Sequence, residues 1–193
     1  VNRGPGRIEV VAGPMFAGKT EELLRRVRRA LIGGRRVHVF THALDTRPGC
    51  DRIASHAGRE HPSRAVGSAA EILPLVPPDA DLVAIDEAHF FDAGLVTVVE
   101  ELAARGHLVI VAGLCVTFAG RPFEPLPTLM AVAERVDKLT AICTVCGEEA
   151  VFHQRTAPPV EAADTRLVPE HVGGAEKYEA RCRRHFSPGA GGD

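Results

Sequence analysis

Ile8-Glu9-Val10-Val11-Ala12, running directly into Gly13-Pro14-Met15-Phe16-Ala17-Gly18-Lys19-Thr20, decides how this chain folds. The first five residues are a short, largely β-branched run ending at glycine, which predicts a buried strand. The next eight match G-x-x-x-x-G-K-[ST] in full. Leu23, Leu24, Val27, Ala30 and Leu31 then recur at helical spacing until Gly33-Gly34 stops the helix. Strand, glycine-rich turn and helix form the context in which this motif cradles a nucleoside triphosphate. The glycines let backbone N–H groups approach phosphate oxygens, and the helix N-terminus adds positive potential. Lys19 is placed to neutralise charge near the β and γ oxygens, and Thr20 to ligate Mg²⁺.

Outward from this loop, the pattern repeats. Val37-His38-Val39-Phe40, Leu82-Val83-Ala84-Ile85 and Leu108-Val109-Ile110-Val111-Ala112 are continuous apolar runs, and Leu95, Val98, Val99, Leu102 and Ala103 mark a helix between the last two. Residues 69–75 predict a short helix ended by Pro77-Pro78. Unbroken apolar strands alternating with helices predict an α/β fold of the P-loop type, a parallel sheet covered on both faces. Residues 46–62 are polar and rich in Gly, His and Arg, which predicts a mobile loop. After Leu139 the chain turns to cysteine pairs and prolines. The expected division is a nucleotide-binding domain over 1–139, a small zinc-binding lid over 140–187 and a Gly-rich tail over 188–193.

Composition narrows the partners. The 193 residues are 45% apolar and carry a net charge of −2, with the arginines spread along the chain. No basic surface favours nucleic acid as a partner, and no apolar run approaches the roughly 20 residues of a membrane span. Val1 to Arg7 lacks the apolar stretch of a leader peptide, so a cytoplasmic location is expected. Five cysteines in such a chain suggest metal ligation or free thiols rather than disulfides.

Asp86 ends an apolar strand, where P-loop proteins hold a second magnesium-associated carboxylate. Glu87 beside it is expected to face the other way and to take the proton of an attacking hydroxyl or water. An acid that merely supports Asp86 is the alternative. Asp86-Glu87-Ala88-His89 also spells a helicase signature, but one lobe without a basic channel does not make a helicase. Cys143-x-x-Cys146 and Cys182-x-x-His185 supply three thiolates and an imidazole, a complete structural set for tetrahedral Zn²⁺. Such a site would pin both ends of the intervening segment and present it as a lid. Cys50 and Cys115 read as free thiols, and Arg181, Arg183 and Arg184 as a solvated basic cluster.

In order along the chain stand the P-loop, Asp45-Thr46-Arg47, Asp86-Glu87-Ala88-His89-Phe90-Phe91, Thr117-Phe118, the two metal pairs and Gly173-Gly174-Ala175-Glu176-Lys177-Tyr178. Together they resemble the zinc-containing, cytosolic-type thymidine kinases from about Gly6 to Phe186. The resemblance implies transfer of the γ-phosphate of ATP to the 5′-hydroxyl of thymidine or deoxyuridine, with Glu87 as base and Lys19 at the phosphates. It places Asp45, Thr46, Arg47, Asp86, Ala88 and His89 on the nucleotide side. It places Met15, Phe90, Leu114, Phe118, Phe123 and Tyr178 around the base, held by the backbone of a lasso comprising Pro169, Glu170, His171, Val172 and Gly173. It also implies a homotetramer and feedback inhibition by dTTP. Cys115, Ala119, Pro169, His171 and His185 depart from the commonest residues of that family. The competing readings are another small P-loop phosphotransferase or ATPase, and a zinc-ribbon binding module whose P-loop acts as a switch.

Overall fold

The computed structural model describes residues 6–44, 52–54, 60–156 and 178–188. Asp45, Thr46, Arg47 and Cys50, the lasso residues Pro169, Glu170, His171, Val172 and Gly173, and most of the tail lie outside the described residues.

Each predicted apolar run is a strand of one parallel sheet. These are β1 (Arg7–Gly13), β2 (Val37–His42), β6 (Leu82–Ile85) and β7 (Leu108–Leu114). Two short strands complete it, β5 (Arg64–Val66) and β8 (Arg135–Lys138), in the order β5-β2-β6-β7-β1-β8 with every pairing parallel. The strands bury alternate residues on opposite faces. Val11, Leu82, Ala84, Ile110 and Ala112 join Leu23, Leu24 and Val27 of helix α1 (Lys19–Ile32) on one side. Val10, Ala12, Val83, Ile85, Val109 and Val111 join helices α3 (Gly94–Ala104) and α4 (Leu126–Val132) on the other. Two-sided burial is what removes the polar alternation from these strands.

The expected short helix over 69–75 is present as a 3₁₀ turn (Ala69–Glu71) followed by α2 (Ile72–Leu75). Two other stretches differ from the sequence expectation. The expected loop contains an antiparallel hairpin of β3 (Arg52–Ala54) and β4 (Glu60–Pro62), with Ile53 buried against the α1 face. The segment before the cysteine pairs adds both a helix and an edge strand, α4 and β8.

Beyond β8 the pairing partners change. Strands β9 (Ala141–Ile142) and β10 (Glu149–Ala150) form one antiparallel pair, and β11 (Phe152–Arg155) and β12 (Tyr178–Arg181) another. Because β1, β6 and β7 are parallel neighbours, their C-terminal ends share one edge of the main sheet. The chain enters the second unit from that edge, where the Leu139 N–H donates to the Ala12 carbonyl at 2.8 Å beside the P-loop.

Candidate active site and metal centre

The P-loop begins where β1 ends. Gly18 closes it with φ +79°, a left-handed conformation that suits glycine, and precedes the first turn of α1. Phe16 takes φ 66° without being glycine, a backbone cost that fits a functional turn. Lys19 Nζ donates back across the loop to the Pro14 carbonyl at 2.7 Å. The Thr20 hydroxyl donates to Asp86 Oδ2 at 2.9 Å, so the end of β6 meets the start of α1.

Asp86 is buried and also accepts the Glu87 N–H at 3.0 Å. Glu87 has φ 51°, so strand alternation does not set its direction; a left-handed turn does. Its carboxylate faces His89 Nε2 at 3.5 Å. The Leu114 N–H donates to His89 Nδ1 at 3.2 Å, which makes Nδ1 the acceptor and leaves the proton on Nε2, toward Glu87. His89 is fully buried, with the Phe90 and Phe123 rings 4.3 and 5.3 Å from its own. Phe90, Leu114 and Phe123 are thereby gathered around His89. Phe118 sits half-buried in the turn that follows Val116.

The second unit touches the P-loop directly. Met15 N–H donates to Nδ1 of buried His153 on β11 at 3.5 Å, and the His153 ring meets the edge of Tyr178 on β12 at 5.7 Å. Ala17 of the P-loop packs on the small core of Ala141, Cys143, Ala150, Ala180 and Cys182. The turn at Gly120 lies so close to Phe186 that a Cβ there would stand 2.7 Å from the ring. Three contacts thus join the second unit to the nucleotide edge. His153 was not a sequence candidate; a lone histidine inside a short strand carries no spacing signal.

The Cys143, Cys146, Cys182 and His185 ligand atoms all lie within 4.8 Å of one another. Two edges of this cluster, Cys146 Sγ to Cys182 Sγ and Cys143 Sγ to His185 Nδ1, are each 3.8 Å. A tetrahedral zinc thiolate site requires sulfur separations of about 3.8 Å, so the donors fit the ion. Burial pushes the Cys143 thiol up, but the amides of Cys182, Val145 and Cys146, with the His185 side chain, outweigh it and bring it to about 5. The Glu148 amide pulls Cys146 down, yet burial and the Cys143 and Cys182 sulfurs leave it raised. Crowded thiols that resist joint ionisation are what a divalent cation relieves. Arg181 is not part of a solvated cluster. It pairs with Glu179 at 2.5 Å and donates to the Thr144 hydroxyl in the ligand turn, while Arg183 and Arg184 are exposed. Cys115 is a free thiol, held protonated chiefly by burial.

The architecture is that of a P-loop nucleotide-binding α/β protein with a small metal-site unit folded against its phosphate loop. The family model described as thymidine kinase matches residues 6–186. A thymidine kinase from Halobacterium salinarum is 49% identical over 183 residues, covering 92% of this chain and 92% of that protein. The chain belongs to the thymidine kinase family.

Proposed function

We propose that this protein transfers the γ-phosphate of ATP to the 5′-hydroxyl of thymidine or deoxyuridine. One observation carries the assignment: Thr20, Asp86 and the His89-facing Glu87 share the strand-end edge against which the second unit packs. Lys19 and the P-loop amides hold the triphosphate, and Thr20 and Asp86 are the residues that would hold Mg²⁺. That ion, when bound, offsets charge on the transferring phosphoryl group. Glu87 accepts the 5′-hydroxyl proton, with its carboxylate positioned beside the His89 ring. Met15, Phe90, Leu114, Phe118, Phe123 and Tyr178 enclose the base, with Pro169, Glu170, His171, Val172 and Gly173 as the lasso over it. Asp45, Thr46, Arg47 and Ala88 complete the nucleotide side.

The division into domains 1–139 and 140–187 is supported by the change of strand partners after Lys138. A homotetramer, inhibition by dTTP and a cytoplasmic location rest on the family resemblance. Among the described residues no helix is long and apolar enough to cross a membrane.

Phosphorylation across a panel of deoxynucleosides tests the reading. ATP consumption that ignores added thymidine would instead mark a plain ATPase. Glu87→Gln is expected to lower kcat by about 10²–10⁴-fold while ATP still binds. Near-normal turnover in that variant would remove Glu87 from the role of base.

A further inference from the structure

The opposite end of the sheet holds a feature that phosphoryl transfer does not use. A cavity of about 390 Å³ opens between α1 and the first residues of four strands, Arg7, Leu82, Leu108 and Arg135. It opens at the N-terminal ends of these strands, whereas the P-loop follows the C-terminal end of β1. Six arginines line it: Arg7, Arg25, Arg26, Arg29, Arg35 and Arg135.

Three carboxylates take part of this charge. Buried Glu9 accepts from Arg7 and Arg26, each at 2.7 Å. Glu22 binds Arg25 at 2.6 Å and Arg26 at 2.8 Å. Asp137 binds Arg26 at 2.5 Å and Arg135 at 2.8 Å. These pairs engage Arg7, Arg25, Arg26 and Arg135. Arg29 and Arg35 have no carboxylate partner among the described residues, and both are exposed. Leu82, Leu108, Ile110 and Ala30 give the cavity an apolar floor.

Gathering like charges at one concave place is unfavourable unless something offsets them. Guanidinium forks match phosphate oxygens two at a time, and the volume suits a small molecule. A nucleic acid would need a broad basic surface, which a chain of net charge −2 does not provide. We propose that this cavity is a second anion site, separate from the P-loop, which binds a small polyphosphate, free or carried by a nucleotide. Arg29 and Arg35 are its principal contacts, because their donors are not already held by carboxylates. Arg26, locked between Glu9, Glu22 and Asp137, organises the floor.

Calorimetric titration of the full chain with inorganic tripolyphosphate, at low ionic strength, tests this. Lys19→Ala weakens the P-loop site and leaves the cavity intact. In that background tripolyphosphate is expected to bind still, and Arg29→Gln with Arg35→Gln is expected to weaken it by at least about tenfold, the loss of two charge-assisted contacts. Unchanged circular dichroism would show that the double variant remains folded. A parallel titration with ATP separates the sources. Tighter binding than tripolyphosphate identifies a nucleotide whose base uses the apolar floor, and equal binding identifies phosphate alone. No binding to the Lys19→Ala chain, or binding indifferent to the arginine replacements, overturns the proposal. None of these readouts depends on thymidine turnover, so the site stands or falls apart from the proposed activity.

Discussion

The parallel sheet and the metal-site unit lie against each other but are held together by different physics. Among the described residues, the sheet and its helices bury 21 hydrophobic residues on one face and 10 on the other, including Leu95, Leu102, Ile110 and Leu129. The core cluster of the second unit has five residues, three alanines and two cysteines of the four-donor group, with buried Tyr178 and His153 beside it. Alanine removes little apolar area from water, so such a core cannot offset the chain entropy of ordering four short strands. One region is held by burial. The other depends on its ligands. Yet the second carries His153 to Met15 and packs on Ala17, so the phosphate loop rests against the region that supports itself least.

The largest expected effect follows from this contrast. With zinc on the four donors, as the family resemblance implies, stripping it with a chelator or replacing Cys146 by Ser should unfold the second unit and leave the sheet folded. Structural zinc sites in small domains contribute about 10–16 kcal/mol of apparent free energy, far more than so small a core can replace. Hydrogen exchange should lose protection over β9 to β12 while β1, β6 and β7 keep theirs. Simultaneous loss in both regions would show that the two form one cooperative unit and break the comparison.

The same contrast explains what could be read in advance. The strands with two-sided burial announced themselves as unbroken apolar runs, and the metal site as two spaced pairs. Both signals are carried by neighbouring residues. The edge strand β8 was silent, because Arg135-Val136-Asp137-Lys138 is charged and mostly exposed; only its register beside β1 makes it a strand. Helix α4 was hidden by Pro127, which a first turn tolerates because its amide would have no partner there. In the site, Lys19, Thr20, Asp86 and the four metal ligands were legible from motif spacing. The left-handed turn at Glu87 and the approach of His153 to Met15 depend on long-range packing, and no local pattern encodes them.

A middle-sized effect is expected within the sheet. Arg26 is buried on α1 and ties β1 to β8 through Glu9 and Asp137. Arg26→Met keeps the stem's packing but strands the Glu9 carboxylate in the interior. Breaking a buried pair costs about 3–5 kcal/mol, and the lower end is expected because Arg7 still reaches Glu9. Denaturant unfolding should show this loss with zinc content unchanged. A fall in bound zinc would mean that β8 transmits strain to the ligand turn, and the two regions would be less separate than their cores imply.

The smallest effect is an acid one. The hydrogen bond from Arg25 is the largest influence on Glu22, and with Arg26 it outweighs desolvation, holding the carboxyl at about 2 against an ordinary 4.5. A carboxyl lowered in the folded state stabilises it fully above its unfolded value. That contribution is therefore present above about 4.5, declines as pH falls toward 2, and is gone below. The pair is near the surface, so salt weakens it and the amount is modest. Glu22→Gln should flatten this part of the stability profile between pH 4.5 and 2, and change little at pH 3 in high salt. An equal acid sensitivity in the variant would move the titrating group elsewhere, with Asp137, lowered first by Arg135 and then by Arg26, the next to replace. A flattened profile would locate the acid-labile charge on α1, in the region held by burial.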